Sequence, residues 1–100
     1  MIVAGAGGVP LAVTDFGGGG HGVLLLHGLM GRASTWWADA RWLCALGRVV
    51  AYDARGHGRS GAPDGPYDRD AFVGDAAAVI RALDLAPAVV IGHSMGGLTA

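Results

Sequence analysis

The chain is 100 residues long, 52% hydrophobic and 15% charged, with a formal net charge of −1. That size sets one domain or part of one, and the near-zero charge gives no electrostatic footprint for a nucleic acid or an anionic membrane. The single Cys44 excludes an internal disulfide, four His with one Cys leave no zinc spacing, and no apolar run approaches the ~18 residues that cross a bilayer.

Met1 to Val13 opens apolar, but it lacks a basic stretch and carries Gly and Pro. It does not read as a signal peptide, so the cytoplasm is the expected location. Within it, Val9 to Phe16 alternates over a short range, with Leu11 and Val13 on one face, and predicts a strand. Gly17 to Gly22 surrounds His21 with glycine and predicts a flexible connector with His21 exposed. Val23 to Leu26 is a continuous apolar run of the kind that suits a strand buried on both faces.

A helix comes next. Ser34 or Thr35 is the expected cap, Trp36, Ala40 and Leu43 fall at helical spacing, and Gly47 sits where a left-handed C-terminal residue is wanted. Arg48 to Asp53 returns to strand, and residues 54–67 are too rich in Gly and Pro to be anything but loop. In the second helix Asp68 or Asp70 is the cap, and Phe72, Ala76, Val79, Ile80 and Leu83 share one face. Pro87 is its expected stop, because the residue before proline is pushed out of the helical region. Ala88 to Ile91 is another buried-type strand, and it runs directly into Gly92-His93-Ser94-Met95-Gly96-Gly97.

Apolar strands alternating with amphipathic helices predict an α/β fold on a mainly parallel sheet. In such sheets the reactive groups gather at the carboxyl ends of the strands. Three polar loops lie there: His27-Gly28-Leu29, Asp53 to Ser60, and Gly92 to Gly97.

Gly92-His93-Ser94-Met95-Gly96 fits G-x-S-x-G directly after a strand. The chemistry behind that spacing is a sharp strand-to-helix turn that exposes a serine hydroxyl at its apex, with glycines where side chains would collide. Against it stands the plainer reading of a glycine-rich turn with a solvated serine. A serine hydroxyl needs a base to take its proton, and an attacked carbonyl needs donors for its developing oxyanion. Met95, at the helix N-terminus, has a free N–H to offer, and a second donor is expected from the His27-Gly28-Leu29 loop. Losing one such donor costs about 2.7–4 kcal/mol of barrier.

Taken together, Leu24 to Gly31 (LLLHGLMG), the pair Trp36-Trp37, Tyr52 to Ser60 (YDARGHGRS) and Gly92 to Gly97 (GHSMGG) resemble the α/β-hydrolase superfamily in content, order and separation. The resemblance runs from about Val9 onward. It implies an α/β-hydrolase fold in which residues 1–100 are the N-terminal portion of one domain, up to the nucleophile elbow. It also implies Ser94 as nucleophile, Leu29 and Met95 as oxyanion-hole amides, and Gly92, His93 and Gly96 as support for the elbow. Epoxide hydrolases and haloalkane dehalogenases of this fold carry Asp at the elbow, so serine points instead to small ester-like substrates.

In this family the acid and the histidine follow the nucleophile in sequence, whereas only six residues follow Ser94. The expectation is therefore that neither lies in this chain. His93 is a poor base because adjacent side chains leave the turn in different directions. For His27 and His57, hydrogen bonding within their own loops is the better reading. The strand at Ala88–Ile91 is expected to stand as an exposed apolar edge.

Gly56 to Gly61 (GHGRSG) formally matches a dinucleotide fingerprint, but Ala62 to Pro66 cannot open the helix which that site requires. No P-loop lysine follows any glycine cluster, so no cofactor and no metal is expected. The Trp residues 36, 37 and 42 read as core or pocket wall, with one of the adjacent pair facing away from the core. Cys44 reads as a buried, inert thiol. Leu29 and Met30 fit either an acyl pocket or helix–loop packing. The alternative to a serine hydrolase is a non-catalytic fragment or a small-ligand-binding relative of the same fold.

Overall fold

A computed structural model describes residues 1–100. Its strands are β1 (Ile2–Ala4), β2 (Pro10–Gly17), β3 (Gly22–Leu26), β4 (Arg48–Tyr52) and β5 (Ala88–Gly92). They form one mixed sheet in the order β1-β2-β4-β3-β5. The expected parallel part is β4-β3-β5, and β1 and β2 extend it with antiparallel pairings. The helices are α1 (Trp37–Leu43), α2 (Arg69–Ala82) and the short α3 (Met95–Thr99).

The two-residue period of a strand explains why β3 and β4 are apolar throughout. Val23 and Leu25, with Val49 and Ala51, pack with Ala40 and Leu43 of α1. The alternate residues Leu24, Leu26, Val50 and Tyr52 pack with Ala76 and Val79 of α2. Leu24, Leu25, Val49 and Val50 are fully buried, each contributing about 1.5–3 kcal/mol. Leu11 and Val13 of β2 join the α2 side, as their shared face predicts. Strand β5 is the far edge of the sheet, and Val89 is 55% exposed on it.

Several local expectations are corrected. Strand β1 leaves no readable period in three residues and is defined by its register, Val3 opposite Leu11. Ser34 and Thr35 do not cap a helix; they lie inside a 3-10 turn, Ala33–Trp36, and α1 begins after it with no side-chain cap. Gly47 does not adopt a left-handed conformation. It is required because a Cβ there would overlap the His21 carbonyl oxygen.

Asp68 does cap α2, its Oδ1 accepting from the Ala71 N–H at 2.9 Å. Pro87 is not the stop, since the helix ends at Ala82. Asp84 turns left-handed (φ 53°), Leu85 N–H bonds back to the Ile80 carbonyl and Asp84 N–H to that of Arg81. This double closure satisfies the last carbonyls before proline is reached, and it buries Leu85 in the core.

Candidate active site

The chain runs from β3 to β4 on one side, then returns from β4 past β3 to β5. The direction of winding reverses between β3 and β5, and a crevice opens at the carboxyl ends of strands flanking such a reversal. Two of the three polar loops picked from the sequence follow those strands. Register brings them together: Leu26 lies opposite Gly92, and His93 N–H bonds to the Leu26 carbonyl at 3.0 Å.

Ser94 is exposed at the apex between β5 and α3, with φ 54° and ψ −113°. A positive φ is uncommon for a residue with a Cβ and signals a backbone held under strain. The surrounding glycines are needed for space. A Cβ on Gly92 would run into the Gly96 carbonyl, and one on Gly96 would run into the Leu26 carbonyl of the neighbouring strand. A Cβ on Gly28 would come within 2.9 Å of His93 Nδ1 and 3.4 Å of the Ser94 Cβ. Residue 28 is thus the close neighbour of residue 94 across the crevice.

Neither the Leu29 nor the Met95 N–H is used in a hydrogen bond within the chain, Met95 being the first residue of α3. An exposed hydroxyl between two loops with unpaired amides supplies parts that attack on a carbonyl needs. Leu29 and Met30 are 69% and 87% exposed, so helix–loop packing does not account for them.

The histidines divide as their loops suggest. His27 is buried; its Nε2 accepts from the Ala54 N–H at 2.9 Å and its Nδ1 lies 2.7 Å from the Gly28 carbonyl. A backbone N–H can only donate, so the proton sits on Nδ1 and the ring is neutral. Burial pushes the pKa of His27 below that of an ordinary histidine. The His57 ring lies 5.1 Å away, with its Nδ1 on the Arg55 carbonyl. His21 is exposed in the glycine connector. None of the four is hydrogen-bonded to Ser94.

The third loop is a structural clasp. Asp53 is buried and accepts from the Ala33 N–H at 2.7 Å and the Arg59 N–H at 2.9 Å, tying the loops after β3 and β4 together. Ser60 Oγ accepts from the Ala12 N–H and donates to the Asp53 carbonyl. The segment Gly56–Gly61 forms turns, and α2 begins only at Arg69. Sequence reasoning missed the buried pair Arg55–Asp75, joined at 2.7 and 2.8 Å. Its signal was present: Asp75 lies one turn from both Ala71 and Val79, where a lone charge on an apolar face demands a partner.

A groove of about 830 Å³, with Ser94 not among its walls, lies between β2 and the start of α1, with Arg32, Ser34, Trp37 and Arg59 lining it. Trp37 is the member of the tryptophan pair that faces outward, at 63% exposure. Trp42 is also exposed, against the expectation of core or pocket wall, because it falls on the outer face of α1. Cys44 is only partly buried, with its thiol on the Phe16 carbonyl at 3.4 Å. A smaller cavity of about 200 Å³ beside His93 is lined also by His27, Trp36 and Asp39. No three metal-ligating side chains come together, and no helix is long and apolar enough to cross a membrane.

The same fold occurs in known proteins. Over 76 residues the chain is 45% identical to the non-heme chloroperoxidase of Streptomyces lividans, a match covering 75% of this chain and 28% of that protein. The enol-lactonase from Burkholderia xenovorans LB400 superposes with a TM-score of 0.92 at 35% identity, over 99% of this chain and 39% of that one. The esterase from Exiguobacterium antarcticum does so with 0.91 at 31%, over 99% and 37%. The chain therefore spans about a third of the length of these relatives. The sequence pattern of the Alpha/beta hydrolase family matches residues 23–100, and with the superpositions it shows that the chain belongs to that family.

Proposed function

We propose that this chain carries the nucleophile and the oxyanion-binding amides of a serine hydrolase acting on carboxylic esters or related acyl compounds. The observation that carries this reading is the exposed Ser94 held at φ 54° beside the Gly28–Leu29 loop. Ser94 Oγ attacks the substrate carbonyl and its proton passes to a base. The oxyanion is received by the Leu29 and Met95 N–H groups, and collapse expels the alcohol and leaves an acyl-enzyme. Water then releases the acid and restores the hydroxyl. Both ring nitrogens of His27 are engaged elsewhere, so the reading assigns the base and its orienting acid to residues outside these 100.

A second reading is favoured by the 45% identity to a non-heme chloroperoxidase. Here hydrogen peroxide takes the place of water: its oxygen attacks the acyl carbonyl, Ser94 leaves, and a peroxyacid is released. Both readings share the acyl-enzyme.

The test is a fluorophosphonate probe on the whole protein, read by intact mass. A covalent adduct present in the wild type and lost in Ser94→Ala supports the reading. A folded sample that takes no adduct overturns it in favour of a non-catalytic, ligand-binding relative.

A further inference from the structure

We propose that His27 is the positioning residue that aims the Leu29 N–H, through its hydrogen bond to the Gly28 carbonyl. The inference rests on the serine-hydrolase reading and deepens it.

The Gly28 carbonyl and the Leu29 N–H belong to one peptide unit. In a trans peptide the two bonds lie in one plane and point in opposite directions. Whatever holds the carbonyl therefore sets the direction of the N–H. His27 Nδ1 donates to that carbonyl at 2.7 Å, and the Gly31 N–H donates to it at 3.0 Å. The second bond closes the turn Gly28–Gly31, in which Met30 is held at φ 67°. A non-glycine residue at that angle does not hold a turn unaided.

The imidazole is itself held. Its Nε2 accepts the Ala54 N–H at 2.9 Å, at the foot of the loop after β4, where Asp53 accepts the Ala33 N–H. Ring orientation and tautomer are thus fixed from outside the turn. The residue is 3% exposed, so both bonds lie within the packed interior of the loops. One face of the crevice is in this way built from three successive devices: the Ala54 amide orients His27, His27 orients the Gly28–Leu29 peptide, and that peptide presents the free N–H.

Two substitutions separate the bonds. The amide nitrogen of Asn overlays Nδ1, so His27→Asn keeps the donor to Gly28 and loses the Ala54 anchor. The terminal amide of Gln overlays Nε2, so His27→Gln keeps the anchor and loses the donor. With the whole protein and p-nitrophenyl acetate, His27→Gln is expected to lower kcat on the order of 10- to 100-fold with KM within about twofold. Affinity for a trifluoromethyl ketone, whose adduct carries the oxyanion, falls by the same factor as kcat/KM. His27→Asn is expected to retain kcat within about fivefold, though its thermal midpoint is the lower of the two. Activity that follows thermal stability across both variants, or an unchanged kcat in His27→Gln, overturns the positioning role. Turnover that survives Ser94→Ala overturns instead the reading on which it rests.

Discussion

Gly96 lies directly against the Leu26 carbonyl, so the first turn of α3 rests on the last residue of β3. The contact sets where Ser94 stands relative to the loop that follows β3. It admits no side chain, and the obstructing atom belongs to backbone that cannot move without breaking the sheet. Gly96→Ala is expected to lower stability by about 1–3 kcal/mol. The loss should appear as a lower urea midpoint with an unchanged slope, accompanied by slower fluorophosphonate labelling of Ser94.

Ser94 itself stores strain. A serine at φ 54° and ψ −113° costs on the order of 1–3 kcal/mol, and glycine relieves it at an unfolded-state penalty of roughly 0.5–1 kcal/mol. Ser94→Gly is expected to raise the unfolding free energy by about 1 kcal/mol while abolishing probe labelling. A destabilised Ser94→Gly would show that the elbow is not strained.

Arg55 and Asp75 are each 1% exposed, and their pairing is completed by Arg55 donating to the Pro66 and Ala6 carbonyls and by Ala6 N–H donating to Asp75. The hydrogen bonds that Arg55 donates to the Asp75 carboxylate raise the pKa of Arg55, so the guanidinium remains charged. Removing the carboxylate strands that charge. Asp75→Ala is expected to cost about 3–5 kcal/mol, and the double variant Asp75→Ala, Arg55→Met to recover much of it. Chemical denaturation of the two variants measures the difference.

Asp15 and Arg48 form the partly exposed counterpart, at 2.8 Å. Burial pushes the Asp15 carboxyl up, but its bonds from Arg48 and the Gly17 amide outweigh that and leave its pKa below the ordinary 3.8. A depressed folded-state pKa stabilises above the unfolded value, and the contribution disappears as pH falls through the folded one. With both side chains near one-third exposure, the pair is worth about 0.2–1 kcal/mol and weakens in salt. Asp15→Asn is expected to be less stable than wild type by that margin at pH 6, with the two converging below pH 3.8. A gap that persists at low pH would point to packing instead of charge.

The outline of the fold was legible because its signals are local. The apolar runs at Val23–Leu26 and Arg48–Asp53 appear as β3 and β4, and Asp68 caps the second helix as its position suggests. The errors share one cause. Whether a helix stops at Pro87 or five residues earlier, at Ala82, depends on Leu85 finding a place in the core. Ala33, the first residue of the 3-10 turn that holds Ser34, gives its amide to Asp53, twenty residues away along the chain.

By itself the sequence determined the alternation of elements, the two-sided burial of the central strands, and a serine between glycines at a strand end. Each of these is written within a window of a dozen residues, through side-chain period and backbone permissiveness. Only the tertiary structure decided that β5 pairs with β3, and hence that Gly28 faces Ser94. It also decided that Asp75 meets Arg55 and that the Ala54 amide anchors His27. Those partners lie far apart along the chain or on separate elements, and only strand order and register bring such groups within hydrogen-bonding reach.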